Sequence, residues 1–249
     1  MQRIVFFLSI FATCLIASAD SRSQENGWSS KLEQAVERKD FVEALRIADE
    51  VVAAQPKSAN LYVMRGMVHF QAGDIDRSIT DFDRSIELDP RSKPYLWQRG
   101  ISLYYAGKFK EGAEQFEVHR TVNGNDVENS VWHYLCVARA SSLEEARKKL
   151  IPSAGDPRPP MMEVLELFRG EKSVEDVLNA ADQVEGGPRA KPLAKFYGNL
   201  YVALHYESLG KTELCQKYLE ESLKTGTGGY MADVANVHLI RLKKSTQAR

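Results

Sequence analysis

The sequence predicts an all-α fold, a solenoid of about five to six helix pairs with a C-terminal capping helix, and three observations carry that expectation. Glycine recurs at a spacing of 34, at Gly66 and Gly100 and again at Gly73 and Gly107, and phenylalanine does so at Phe82 and Phe116. The phase extends both ways: the small position on each second helix reads Ala44, Ser78, Gly112 and Ala146, and the position four residues later reads Ala48, Phe82, Phe116 and Leu150. Helix-stopping residues keep the same phase, with Pro56 and Pro90 followed by Asn123-Gly124. A fixed period of this length marks a helix-pair unit that cannot bury its apolar face alone and stacks on copies of itself.

Each element has a physical reason. Gly66 and Gly100 carry no side chain, so the second helix of the pair can approach the first closely, while Gly73 and Gly107 supply the permissive backbone of the turn between them. Pro90 cannot continue a helix, and Asp89 before it is biased to an extended conformation. Residues 27–160 hold four repeats and end in the loop P-S-A-G-D-P-R-P-P at 152–160, whose four prolines no helix interior tolerates. An atypical pair follows within 161–195, with helices expected at 161–169 and 173–184; Ser173 is its N-cap, and Glu175 and Asp176 form an acidic first turn. Gly186-Gly187-Pro188 breaks the chain before a last repeat at 196–229, where Tyr206, Gly210, Cys215 and Leu219 fall at the expected positions. Residues 230–249 are a capping helix and tail, and Arg241, Lys243 and Lys244 suit a helix C-terminus.

Residues 59–92, A-N-L-Y-V-M-R-G-M-V-H-F-Q-A-G-D-I-D-R-S-I-T-D-F-D-R-S-I-E-L-D-P-R-S, resemble the tetratricopeptide repeat. That resemblance implies a right-handed superhelix that binds other proteins. In such stacks the concave face is lined by positions 2, 5, 9, 12 and 13 of each first helix. Here the resemblance assigns a protein-binding groove to Val63, Met67, Phe70 and Gln71, then Trp97, Ile101, Tyr104 and Tyr105, then Val131, Leu135, Ala138 and Arg139. Repeats that clamp a C-terminal carboxylate need Lys and Asn at positions 5 and 9; Val63, Trp97, Val131, Met67, Ile101 and Leu135 exclude that clamp. So much exposed aromatic surface exceeds the few hundred Å² or so that monomers tolerate, so a partner segment, a second copy or the chain's own tail must cover it.

The wider pattern also resembles the NlpI-like bacterial envelope lipoproteins: the repeats, V-W-H-Y-L-C at 131–136, V-L-E-L-F-R-G at 164–170 and F-Y-G-N-L-Y-V-A-L-H-Y-E-S-L-G-K at 196–211. This resemblance implies a non-catalytic adaptor in the cell envelope that recruits cell-wall hydrolases and a protease. An adaptor holding another envelope protein is the first functional reading. A structural component that self-assembles as a homo-oligomer, or organises an envelope complex, is the alternative.

Targeting signals agree with export. Arg3 precedes an apolar run at 4–16 and then Ala17-Ser18-Ala19, the small-x-small pattern of a cleavage site. The run is too short for a membrane span, which needs about 20 residues. Residues 1–19 are therefore expected to be a signal peptide and 20–26 a linker, with a periplasmic or secreted product. Lipidation at Cys14 is the rival outcome, weakened because Phe11-Ala12-Thr13 departs from a lipobox. Cys136 and Cys215 then remain, and their separation in a stack predicts two buried free thiols.

Composition excludes other classes. With 43% hydrophobic and 27% charged residues the chain is an ordinary globular protein, and a net charge of -1 without a basic stripe gives nucleic acid nothing to bind. Gly210-Lys211-Thr212 contains part of a phosphate-binding loop, but His205 stands where that motif needs glycine. Gly226-Thr227-Gly228-Gly229 follows a helix rather than a strand, and so reads as a cap and loop. His133 and Cys136 share a helix face but have no third metal ligand near in sequence. The remaining histidines, His69, His119, His205 and His238, lie on different helices. No catalytic residue, cofactor, metal or small-molecule substrate is expected.

Overall fold

The computed structural model describes residues 19–247, so the expected signal segment lies outside the described residues except for Ala19. Among those residues there are thirteen α-helices, one short 3-10 helix and no strand. The chain divides into two compact units, one ending at Pro56 and one beginning at Lys57.

In the first unit α1 (Ala19–Glu37) pairs with α2 (Phe41–Ala54). Helix α1 thus runs through residues 20–26, the stretch expected to be a linker. The turn is closed by the Lys39 amide donating to the Val36 carbonyl and the Asp40 amide to the Ala35 carbonyl, both at 2.9 Å. Asp40 then caps α2 by accepting from the Glu43 amide at 3.1 Å.

The second unit repeats this plan. Helix α3 (Ala59–Gln71) pairs with α4 (Ile75–Leu88), and the 3-10 helix Pro90–Tyr95 leads into α5 (Trp97–Tyr105) and α6 (Phe109–His119). Next come α7 (Val127–Ala140) with α8 (Leu143–Lys148), α9 (Met161–Arg169) with α10 (Val174–Asp182), and α11 (Ala190–Ser208) with α12 (Thr212–Lys224). Helix α13 (Tyr230–Gln247) ends the series. The turns are chemically alike: Gly73, Gly107 and Gly210 have φ of 82°, 76° and 69°. The next amide reaches five residues back in each, Asp74 to His69 at 2.8 Å, Lys108 to Leu103 at 2.9 Å and Lys211 to Tyr206 at 2.9 Å.

Lys39, 34 residues before Gly73, occupies the glycine's place with φ of 57°. A left-handed conformation strains an L residue by about 1–2 kcal/mol, part of which glycine loses again to its freer unfolded chain. Lys39→Gly is therefore expected to stabilise the first unit by about 0.5–1 kcal/mol. Urea unfolding measures this, and an unchanged or lower midpoint would show that the Lys39 side chain outweighs the strain.

Close helix approach falls where the glycines predict it. A Cβ on Gly66 would lie 3.2 Å from the Phe82 ring and from the Ser78 carbonyl, and one on Gly100 would lie 2.6 Å from Cζ of Phe116. Both phenylalanines are buried, so each glycine is the floor of a ring slot. Between repeats, Ser78 and Ser102 share a hydrogen bond of 2.9 Å that ties α4 to α5. The small position of α6, Gly112, makes room for the buried Cys136 thiol of α7. Cys136 and Cys215 are both free and buried, as expected.

The proline-rich loop before the divergent pair is held by polar chemistry, while α9 and α10 put Met161, Val164, Leu165, Phe168 and Val177 into the main core. In the proline-rich loop Asp156 accepts from the Val127 amide at 3.2 Å, capping α7 from beyond α8. Arg158 bonds Asp156 and Asp126, at 2.6 Å and 2.8 Å, and also Glu128. The Arg158 guanidinium also lies 5.6 Å from the Tyr197 ring centre, so one cation joins the loop, α7 and α11. Burial pushes the Glu128 carboxyl up, against the pull of Arg158. Further along, the Ser173 hydroxyl accepts from the Asp176 amide at 3.2 Å while the Ser173 amide donates to the Asp176 carboxylate at 2.8 Å, a reciprocal cap for α10. Helix α10 ends at Asp182, two residues before the expected 184, and α11 starts at Ala190 rather than at 196.

Candidate protein-binding groove

The residues assigned to the groove are not an open surface. Val63, Phe70, Gln71, Ile101, Tyr104, Tyr105, Val131 and Leu135 are buried, Met67, Trp97 and Ala138 are half-buried, and only Arg139 is exposed. Two causes account for this. Val63 and Met67 pack with Phe82, Leu96 and Ile86, so they belong to the layer between helices rather than to its concave side. Ile101, Val131 and Leu135 likewise sit in the main core with no exposure. The other residues are covered by the chain itself.

Helix α13 packs on α12 and α3 and reaches α5 through side chains, and its contacts with the groove run along one stripe. Tyr230 stacks on Phe70, with ring centres 5.5 Å apart, and meets Trp97 edge-on at 5.3 Å. One turn on, Asp233 accepts from the Gln71 side-chain amide at 2.7 Å. His238 Nδ1 lies 2.9 Å from the Tyr105 hydroxyl, and Arg241 donates to the Tyr105 backbone carbonyl at 2.9 Å with its guanidinium 5.6 Å from that ring's centre. The same helix buries Met231, Ala232, Val234, Ala235 and Val237 in the main core. This is an amphipathic helix in a groove, one of the recurring modes of peptide recognition.

Helix α11 closes the other side. The Tyr104 hydroxyl donates to Glu207 at 2.6 Å, and Arg139 pairs with the second oxygen of the same carboxylate at 2.9 Å. Beneath them Tyr104 and Tyr105 pack against the fully buried Trp132 at 5.5 Å and 6.2 Å. Burial, then the Glu207 charge, raises the Tyr104 and Tyr105 hydroxyls well above their ordinary value, so both stay protonated donors. Burial, then the Arg241 and Arg139 guanidinium groups, holds the His238 imidazole down at about 4. It is therefore neutral at pH 7, with Nδ1 hydrogen-bonded to the Tyr105 hydroxyl and Nε2 facing the Cys215 sulfur at 3.7 Å. Burial pushes that thiol up to about 12, which leaves it without thiolate character.

Glu207, Trp132, Tyr230, Asp233, His238 and Arg241 thus build the site, and the groove assignment named none of them. Only α13 left a signal: Tyr230, Val234, His238 and Arg241 fall at one helical face. The chemical motifs resolve as structure. Gly210 is the interhelix turn, the Gly226-to-Gly229 stretch is the loop between α12 and α13, and His133 Nε2 lies 3.4 Å from Glu117. Among the described residues no three His, Cys, Asp or Glu side chains are grouped as metal ligands, and no helix is long and apolar enough to cross a membrane.

Residues 59–92 match the tetratricopeptide repeat family. On a stack of helix pairs, that match supports a role in protein-protein interaction. Among solved structures the chain is similar to MamA from Desulfovibrio magneticus RS-1, at 12% identity and a TM-score of 0.49, over 81% of this chain and 94% of that one. It is also similar to PilW, described as a widely conserved type IV pilus biogenesis factor, at 13% identity and a TM-score of 0.49, over 88% of this chain and 99% of that one. Values of this size leave the functional argument to the chain's own residues.

Proposed function

We propose that this chain is a non-catalytic adaptor of the bacterial cell envelope, exported by its N-terminal segment, that grips other proteins in the groove walled by α3 and α5. One observation carries the reading: the groove is shaped and chemically equipped to hold an amphipathic helix, because it holds one, α13, through Phe70, Gln71, Trp97 and Tyr105. Export is supported by Arg3, the apolar run at 4–16 and Ala17-Ser18-Ala19. The likeness to NlpI-like proteins supports cell-wall hydrolases or a protease as cargo. Intact mass of the exported protein separates cleavage after Ala19 from a lipid on Cys14.

The functional test is affinity capture from an envelope extract with wild type and Trp97→Ala. Trp97 is half-buried and meets α13 edge-on; truncating a hot-spot aromatic costs about 2 kcal/mol of binding, and because the same truncation also loosens α13, the net loss of capture is expected to be measurable but at most roughly thirtyfold. Folding should survive, as checked by thermal melting. Equal capture by both proteins would place the partner on another surface and sink the groove reading. Tyr104, which is buried against Trp132 and bonded to Glu207, is unsuited to this test because its loss also damages the core.

A further inference from the structure

Resting on the adaptor reading, we infer that α13 is the groove's own intramolecular ligand, and that the partner is an amphipathic helix with the α13 stripe, which binds by displacing α13. The stripe is explicit: an aromatic ring first, a carboxylate three residues on, a hydrogen-bond acceptor eight on and an arginine eleven on, as in Tyr230, Asp233, His238 and Arg241.

Three observations converge on this. The polar and aromatic contacts of α13 form one set along the groove, to Phe70, Trp97, Gln71, and the Tyr105 hydroxyl and backbone oxygen, while Met231, Ala232, Val234, Ala235 and Val237 pack into the main core, so a displacing helix must cover that apolar face as well. Helix α13 is joined to α12 by Thr225 to Gly229, where Gly226 and Gly229 have φ of 69° and 107° and a Cβ on Gly226, Gly228 or Gly229 would meet nothing within 4 Å. A loosely packed, glycine-rich joint of this kind can swing without breaking the pairs on either side. The fit is also incomplete at polar atoms: the Tyr230 hydroxyl and Gln71 Oε1 are buried beneath α13 without hydrogen-bond partners. A helix with a phenylalanine in the place of Tyr230, or with a donor facing Gln71 Oε1, would remove that defect and outcompete α13 despite the high effective concentration of a tethered segment.

The experiment uses the full chain and a fluorescent synthetic peptide of residues 229–247. Tyr230→Ala with Asp233→Ala in the chain weakens its own α13 and leaves the groove intact. The peptide is expected to bind that double variant at least tenfold more tightly than wild type, because occupied grooves are withdrawn from binding. Adding Gln71→Ala should lose most of the gain, and a peptide carrying Tyr230→Ala and Asp233→Ala should not bind. Hydrogen exchange on wild type gives a second readout that does not depend on the variants folding: α13 amides should exchange by a local opening faster than those of α3 and α5. If α13 exchanges only with global unfolding, or the peptide binds wild type and folded variant equally or not at all, α13 is a permanent core helix and the inference is wrong. Peptide binding that follows the expected pattern, with no envelope protein captured by wild type, would instead keep the displaceable helix and overturn the adaptor reading.

Discussion

Gly100→Leu is expected to unfold the second unit at temperatures where wild type is folded. The Cβ alone would lie 2.6 Å from Cζ and 2.9 Å from Cε1 and Cε2 of Phe116, closer than carbon atoms approach without displacement. Phe116 is 1% exposed and its ring cannot swing to solvent without vacating the core. Overpacking costs about 1–3 kcal/mol where neighbours adjust, and loss of a phenylalanine from a core costs about 3–5 kcal/mol. Against a typical total stability of about 5–15 kcal/mol, either outcome is severe. Urea unfolding of Gly100→Leu, Phe116→Ala and the double variant tests the cause as well as the size. The double variant should be less destabilised than the sum of the two, since the leucine fills the space that the ring leaves. A single variant within 1 kcal/mol of wild type, or strict additivity, would show that Gly100 and Phe116 do not share one slot.

That prediction was legible in the sequence because the repeat phase places Gly100 and Phe116, like Gly66 and Phe82, at positions where one helix must touch the next. Gly73, Gly107 and Gly210 were legible for the same reason, since the turn demands positive φ. Lys39 was hidden in that pattern: it makes the same turn with a residue type that gives no hint of it. The destination of α13 was less legible still. Periodicity shows which face of a helix is apolar but not which element covers it, and Gln71 and Asp233, which meet here, are 162 residues apart. The proline-rich loop hid Arg158 in a similar way, because composition marks a loop without saying that its cation will find carboxylates on a different helix. Positions 5 and 9 of the first helices misled because a concave face and an interhelix layer draw on the same apolar residue types. Val63 and Met67 went to the layer, whereas Phe70, Gln71 and Tyr105 went to the groove.

Acidification is expected to loosen the second unit, starting at α13. His238 is fully enclosed: the Tyr105 hydroxyl of α5 and the Cys215 thiol of α12 face its two nitrogens, while Arg241 of its own helix and Arg139 of α7 surround it with positive charge. Glu207 of α11, the carboxylate of this network, is already engaged by Tyr104 and Arg139. The imidazole's folded value of about 4 lies below its unfolded value of 6.5, so between those limits the unfolded chain holds the proton and the folded chain does not. Stability from this group is thus complete above pH 6.5 and falls as pH drops towards 4, by about 3 kcal/mol in all. His205, also held at about 4 by burial and then by Arg147 and Lys211, adds in the same direction. Glu128 works against both, because burial raises its carboxyl and favours the protonated folded form as pH falls. Urea midpoints measured from pH 7.5 to pH 4.5 should therefore decline in wild type. In His238→Gln, which keeps an acceptor for Tyr105 but cannot take up a proton, the decline should be clearly shallower, and shallower again with His205→Gln, leaving the part due to His133, held down by burial, and to Asp156, whose carboxyl is held low against its burial by Arg158. Parallel curves for wild type and His238→Gln would show that His238 does not resist protonation in the folded chain, and that acid leaves the hold on α13 intact.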